Sequence, residues 1–264
     1  DGYTASGTTA SHYYAQAGTY QVTLTVTTGN GASPHEITQT ITVNESETGI
    51  ISFADANVKA LCVANWDTNG DGELSYAEAA AVTDLGVVFR NKTSITSFDE
   101  LRYFTGLTSI ESDAFYNCTS LTSIEIPSSV STIGNWAFRY CSDLTSIEIS
   151  NSVTSIGSNA FYYCTSLTSI EIPGSVTSIG TNPFSGCSGL EQVVVASDNI
   201  YYDSRWNCNA IINTSSNALV TGCKNTVIYN RVTSIGDNAF FGCSGFTGSL
   251  TIPNSVTSIG ISAF

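Results

Sequence analysis

A phenylalanine recurs every 23 residues through the middle of this chain, at Phe115, Phe138, Phe161 and Phe184. A cysteine stands three places after each (Cys118, Cys141, Cys164, Cys187), and a leucine three places further on (Leu121, Leu144, Leu167, Leu190). A fixed period of this size means stacked structural units, because one unit cannot bury its own apolar face and must share a core with its neighbours. Such a stack offers a long surface and little enclosure, which favours binding over catalysis.

One unit can be followed in full over residues 153–175. Val153-Thr-Ser-Ile156-Gly157 alternates, a polar step leads to Ala160-Phe161 and Cys164, and Leu167-Thr-Ser-Ile170-Glu171-Ile172-Pro173 closes it. Leu167, Ile170 and Ile172 are predicted to point inward, and Thr168, Ser169 and Glu171 to solvent. Gly157 and Pro173 mark corners. Neighbouring strands are expected to stack in parallel at about 4.8 Å.

The pattern lapses after Leu190 and resumes at Val232-Thr-Ser-Ile235-Gly236, with Phe240 and Cys243. From Cys187 to Cys243 is 56 residues, two repeats plus an insert of roughly ten. Asn209–Ile212 and Ala218–Val220 flank a polar stretch and predict a β-hairpin, near 200–225, that leaves the stack. Upstream, Leu101, Phe104 and Leu107 keep the three-residue spacing, so a shortened first repeat is placed near Ile95.

Asp67-Thr-Asn69-Gly-Asp71-Gly72-Glu73-Leu-Ser75-Tyr-Ala-Glu78 fills every diagnostic position of an EF-hand calcium loop. Side-chain oxygens fall at loop positions 1, 3 and 5, Gly72 permits the turn at 6, and Glu73 offers its carbonyl at 7. Ser75 stands at 9 and Glu78 at 12. Hard oxygen donors suit Ca2+ rather than zinc. Asp55 is placed to cap a helix over 56–66, and Glu78 to begin a second. The competing account is an acidic surface turn. With one loop and no partner loop, a structural clip is expected rather than a sensor.

Residues 1–45 have a third character. Tyr20–Val26 and Ile37–Val43 alternate strictly about a turn at 28–31, as half-buried antiparallel strands of a partial Ig-like β-sandwich do. The domain plan is therefore 1–45 sandwich, 46–94 calcium cap and 95–264 solenoid, mainly β overall.

Net charge is −14, with only 11% charged residues. That balance argues against nucleic acid and anionic membrane as partners, and no apolar run is long enough to span a bilayer. No export signal opens the chain, which begins inside a domain. Eight cysteines invite a disulfide scheme, but five (Cys118, Cys141, Cys164, Cys187, Cys243) share one repeat position and behave as small buried hydrophobes. Adjacent rungs of a parallel stack also give poor disulfide torsions. Cys208 and Cys223 are the one pair placed to bridge, and Cys62 lies on the first helix.

Each part resembles a known family. Ser11-His12-Tyr-Tyr14-Ala-Gln-Ala-Gly18-Thr-Tyr20-Gln-Val22-Thr-Leu24 looks like the second half of a PKD domain, with Asp1-Gly2 ending that family's Gly-Asp-Gly turn. Residues 51–104 resemble a calcium-loop module that precedes repeats in surface proteins of Bacteroidetes. Residues 105–264 look like BspA-like leucine-rich repeats, on the recurring Leu-Thr-Ser-Ile-Glu-Ile-Pro, Val-Thr-Ser-Ile-Gly and Ala-Phe-x-x-Cys blocks. Tyr202-Asp-Ser-Arg205 and Asn207–Ile212 match an insert common there. Tyr229, where a proline is usual, and Val194, which breaks the glutamate series, depart from the pattern. The resemblance implies a leucine-rich repeat solenoid in a secreted or bacterial cell-surface protein of adhesin type, with an extracellular protein or glycan as ligand. It carries over no catalytic residue.

No catalytic constellation is visible. His12 is assigned to a strand and His35 to a loop, and there is no phosphate loop, nucleophile elbow or zinc spacing. Two candidate contact surfaces remain. Glu125, Glu148 and Glu171 share one outward strand position, where stacked carboxylates repel. They serve either a cationic ligand or a row of like charge that keeps copies from associating. Trp136, Tyr116, Tyr140, Tyr162 and Tyr163 stand where other repeats carry Asn, Ser or Gly, either as contact residues or as rings packed over neighbouring corners. The competing function is a structural spacer or dockerin-like assembly module.

Overall fold

The computed structural model describes residues 18–26, 35–43, 49–246 and 248–264. The PKD-like stretch up to residue 17, His12 and the turn at 28–31 lie outside the described residues. Of the N-terminal part, β1 (Gly18–Val26) and β2 (His35–Val43) are described as an antiparallel pair. Tyr20 stands opposite Ile41 and Leu24 opposite Ile37, so the alternating apolar positions share a face. The other face is tied by Thr23 to Thr38 at 2.8 Å and by Gln21 to Thr40 at 2.9 Å. His35 opens β2 and is not in a loop, because its backbone pairs with Val26.

Asp55 caps α1 (Ala56–Trp66), accepting from the amides of Asn57 and Val58. The second helix, α2 (Tyr76–Ala81), starts two residues before Glu78, because Ser75 is a better cap. Ser75 and Glu78 form a reciprocal capping box, each side chain receiving the other's backbone N–H. Trp66 packs on Phe89 and Phe104, and Tyr76 on Tyr103. The helices therefore share one apolar core with the coils that follow.

Those coils form a solenoid with two parallel ladders. Leu-Thr-Ser-Ile segments and their equivalents at Ile95 and Leu190 supply β3 (Ser97–Phe98) against β5 (Ser123–Ile124), and β8 (Ser169–Ile172) against β10 (Gln192–Val195). The second set of segments, 107–110, 130–133, 153–156 and 176–179, supplies β4 (Ser109–Ile110), β6 (Thr132–Ile133), β7 (Ser155–Ile156) and β9 (Ser178–Ile179), each paired with the next. Leu167, Ile170 and Ile172 are buried and Thr168 and Glu171 exposed, as the alternation predicts. At the corner after the second ladder, a Cβ on Gly157 would stand 2.5 Å from the Gly134 carbonyl carbon. Only glycine lets successive coils approach that closely.

The third edge is built on Phe-x-x-Cys. The rings of Phe115, Phe138, Phe161 and Phe184 stack nearly parallel, at 5.2–5.3 Å between centroids. Each thiol donates to the carbonyl of the phenylalanine one coil earlier: Cys141 to Phe115 at 3.2 Å, Cys164 to Phe138 at 3.2 Å, Cys187 to Phe161 at 3.1 Å. A thiol here both fills a small apolar space and satisfies a buried carbonyl. Phe89 continues the stack at 5.2 Å from Phe115, and its carbonyl receives the Cys118 thiol at 3.0 Å. The first coil thus begins at Phe89 and not near Ile95. Its 26-residue step to Phe115, with Lys92 in the cysteine position, hides it from a search at 23.

The hairpin does not leave the stack. β12 (Ala210–Asn213) pairs antiparallel with β11 (Tyr202–Asp203) and β13 (Ala218–Gly222). β13 then joins a parallel ladder with β14 (Ser234–Ile235) and β15 (Ser258–Ile259). Ile211 faces one core, while Ala210 and Ile212 face a second one with Leu219 and Phe240. β12 is an internal wall, because both its faces are apolar. On the phenylalanine edge the coil of Phe240 follows directly on that of Phe184, through the Gly186 amide to the Phe241 carbonyl at 2.8 Å. The intervening repeat lacks its phenylalanine turn.

All eight cysteines are unpaired, Cys208 and Cys223 among them. Each of these two thiols turns to backbone carbonyls, Cys208 to Ala210 and Cys223 to Glu191 and Asn209. Cys62 is buried under α1, and Cys243 is half-buried.

Candidate functional sites

On the phenylalanine edge, the residue after each ring forms an outward column: Arg90, Tyr116, Arg139, Tyr162. Cation and ring alternate. The Arg90 guanidinium stands 5.1 Å from the Tyr116 ring centre, and Arg139 stands 5.8 Å from Tyr116 and 5.0 Å from Tyr162. Arg139 also lies over Tyr140 at 4.6 Å and donates to its hydroxyl at 3.0 Å. Burial pulls the Arg139 pKa down, but the Tyr140 bond and the surrounding tyrosines outweigh it and hold it above its ordinary value. Burial, then Tyr163 and Tyr140, push the Tyr162 hydroxyl up, against the pull of Arg139.

Beside that column the backbone turns left-handed twice per coil. One position carries Asn117, Tyr140, Tyr163 and Gly186; the other carries Asp113, Trp136, Asn159 and Asn182. Asparagine, aspartate and glycine suit that conformation, whereas larger residues lose about 1–2 kcal/mol in it. Trp136 (φ 57°), Tyr140 (φ 63°) and Tyr163 (φ 59°) occupy it nonetheless. Trp136 is 40% and Tyr163 36% exposed. Tyr116, Tyr140 and Tyr162 are half-buried and packed edge to face, at 5.7 Å and 6.0 Å. Tyr163 also packs, on Tyr162 at 4.7 Å and on Tyr140 at 5.7 Å, so all five aromatic candidates share one edge, on which Trp136 and Tyr163 are the most exposed. Arg90 and Arg139 are absent from the sequence-based set. Aligning Arg90 with Tyr116 requires the coil at Phe89, the signal that would have found them.

The glutamates occupy the first ladder. Glu125 bridges in register to Glu148 and is held by Arg102 at 2.9 Å, while Glu171 faces Val194 on its other side. Among the described residues Glu148 and Glu171 have no ion pair, and no backbone hydrogen bond joins 146–149 to 169–172. A shallow groove of about 490 Å³ opens there, lined by Ile147, Glu148, Ile149, Glu171 and Pro173. The two carboxylates that lack a counter-charge flank it.

In the acidic loop, Asp67 accepts from the amides of Gly70 and Gly72, Asn69 from Asp71, and Asp71 from Glu73. Glu78 closes the loop, with Oε1 receiving the Thr68 amide at 2.8 Å and the Asn69 amide at 3.2 Å. Its other oxygen receives the Ser75 amide and hydroxyl, both at 2.9 Å. Burial raises the Glu78 pKa, but these bonds from Ser75 and Thr68 bring it down to about 2. Lys59 holds Glu73 at 2.6 Å. The donor set fits calcium in kind, being all oxygen, and Gly72 takes the required turn at φ 82°. Its carboxylates face loop amides, and among the described residues no three His, Cys, Asp or Glu side chains converge as a metal cage.

The class this geometry defines is a parallel-stacked repeat solenoid with a short helical N-terminal cap. Residues 87–213 and 211–264 match the BspA type leucine rich repeat region in six copies, and the chain belongs to that family. Residues 1–43 match the PKD domain. Among solved structures the chain is similar to a leucine rich cell surface protein from Faecalibacterium prausnitzii. Identity is 31%, over 69% of this chain and 61% of that one, with a TM-score of 0.43. It is also similar to leucine-rich repeat proteins from Eubacterium ventriosum and Bacteroides ovatus. The first is 25% identical over 59% of this chain and 54% of that one, TM-score 0.45. The second is 25% identical over 68% and 49%, TM-score 0.49. The chain thus spans 49–61% of these relatives' lengths. No curated protein matches it. No helix among the described residues is long and apolar enough to cross a membrane.

Proposed function

We propose that this chain is a non-catalytic, ligand-binding part of a secreted or cell-surface adhesin, and that it binds through the phenylalanine edge. The observation that carries this is the placement of the exposed Trp136 and Tyr163 in left-handed backbone where neighbouring coils use Asn, Asp or Gly. A purely structural edge gains from the small residues, and strain kept at exposed aromatics is a mark of contact sites. The printed description of the Faecalibacterium relative as a cell surface protein supports the location. The N-terminal strands fit a PKD-type sandwich that spaces the solenoid. Asp67, Asn69, Asp71, Glu73, Ser75 and Glu78 would hold Ca2+, whose charge would tie the end of α1 to the start of α2.

The test is a screen of immobilised extracellular proteins and glycans against the wild-type chain and the Trp136→Asn, Tyr163→Asn double variant. Asparagine is the residue other coils use at both positions, so the relief of backbone strain offsets the Tyr163 ring contacts that the variant loses, and circular dichroism checks that the fold is kept. Saturable binding lost in the variant supports the proposal. Binding that the variant retains removes this edge as the contact surface, and silence across the screen favours the spacer alternative.

A further inference from the structure

Lys59, Arg102, Arg205 and Lys224 are committed to ion pairs. The other four basic residues, Arg90, Lys92, Arg139 and Arg231, are in none among the described residues. Three of these four fall in the aromatic edge or the turn that begins it. In a chain of net charge −14, two cations without a counter-charge thus stand against rings of this edge, Arg90 over Tyr116 and Arg139 over Tyr140 and Tyr162. Arg139 spends one N–H on the Tyr140 hydroxyl, whereas Arg90 and Lys92 are exposed and keep their donors for a ligand. Arg231 repeats the combination in the insert, at 5.9 Å from the ring of Trp206, itself exposed and left-handed.

Resting on the ligand-binding proposal above, we infer that the ligand of this edge is an acidic polysaccharide, one whose sugar rings carry carboxylate or sulfate groups. Flat exposed rings such as Trp136 and Tyr163 suit the apolar C–H faces of a sugar. Guanidinium groups suit its oxyanions, in paired hydrogen bonds. The edge is open and periodic, with coils 5.2–5.3 Å apart at the phenylalanine stack, a step comparable to the length of one sugar ring. A periodic polymer can therefore repeat its contacts from coil to coil. A neutral sugar would leave the cations unanswered, and a compact small molecule would find no enclosure.

Immobilised polygalacturonate, heparin and neutral cellohexaose serve as probes for the whole chain, at low and raised salt. The expected result is saturable binding of an acidic polymer that weakens with salt, and none of cellohexaose. Arg90→Gln with Lys92→Gln weakens it roughly tenfold or more, as does Trp136→Asn with Tyr163→Asn. Arg90 and Lys92 are exposed and Asn stands at both aromatic positions in other coils, so the variants are expected to fold, which circular dichroism checks. Equal binding of cellohexaose overturns the inference while leaving the aromatic edge as a binding surface. Acidic polymer binding that survives Trp136→Asn with Tyr163→Asn, or its absence altogether, overturns it outright.

Discussion

Asp55 Oδ2 accepts the Thr96 amide at 2.5 Å and the Thr96 hydroxyl at 2.8 Å, while its Oδ1 caps α1. One carboxylate therefore starts the first helix and fixes it to the first Leu-Thr-Ser-Ile-type strand segment. Burial raises its pKa, but the bonds from Thr96, Asn57 and Val58 bring it below its ordinary value.

Asp55→Ala is expected to cost about 2 kcal/mol, from a lost cap and stranded donors. Because the folded pKa is depressed, Asp55's contribution is present above its unfolded pKa and fades as pH falls through the folded one. Denaturant titrations near neutrality and in acid check this. Equal stability of variant and wild type near neutrality would remove the strap.

Phe138 sits between Phe115 and Phe161, and its carbonyl holds the Cys164 thiol. Phe138→Ala is expected to cost about 3–5 kcal/mol, since a rigid stack cannot close over the gap. The thiols of Cys141 and Cys164 are pushed well above their ordinary pKa by burial and then by the neighbouring cysteines. They are expected to react with thiol reagents only on unfolding, and Cys243, half-buried, first of the repeat set. Mass spectrometry that finds Cys141 linked to Cys164 would refute this.

The solenoid was legible because its period repeats an identical burial problem every 23 residues: Phe138, Cys141 and Leu144 can be read from Phe161, Cys164 and Leu167. The coil at Phe89 was not, since Lys92 replaces the cysteine and the step lengthens. Nor was the role of β12, where Ile211 and Ile212 serve opposite cores; local alternation marks a hairpin but not what covers its second face. The aromatic candidates were legible as departures from the repeat. Their strain was not, because φ is a property of the turn and not of the residue type.

Glu78 offers a pH and metal test together. Its pKa falls from an ordinary 4.5 to about 2 on folding, so its stabilisation is complete above about pH 4.5 and lost as pH drops through about 2. Glu78→Gln is expected to flatten this acid limb. If the loop binds calcium, excess metal raises the melting temperature by mass action, about 2.7 kcal/mol at a hundredfold excess over Kd, and Glu78→Gln removes the gain. Equal melting temperatures in calcium and in chelator would sink the stabilising site.

The glutamate row gives the last prediction. Where Arg102 neutralises Glu125, the next coil bridges in register at Glu148. Where Glu171 meets Val194, β8 and β10 pair over four residues. Between Glu148 and Glu171, with no counter-charge, the ladder is open. If repulsion holds it open, Glu148→Gln with Glu171→Gln should raise stability by a few tenths of a kcal/mol, about the size of a like-charge pair on facing strands. Amide protons of residues 169–172 should then exchange more slowly. If the row also keeps copies apart, the variant should associate at raised concentration, which sedimentation would show. If instead it serves a cationic ligand, the variant should lose capture of a basic peptide with its fold intact. A variant of unchanged stability that stays monomeric and binds all the wild type binds would leave the row without a role and the aromatic edge as the contact surface.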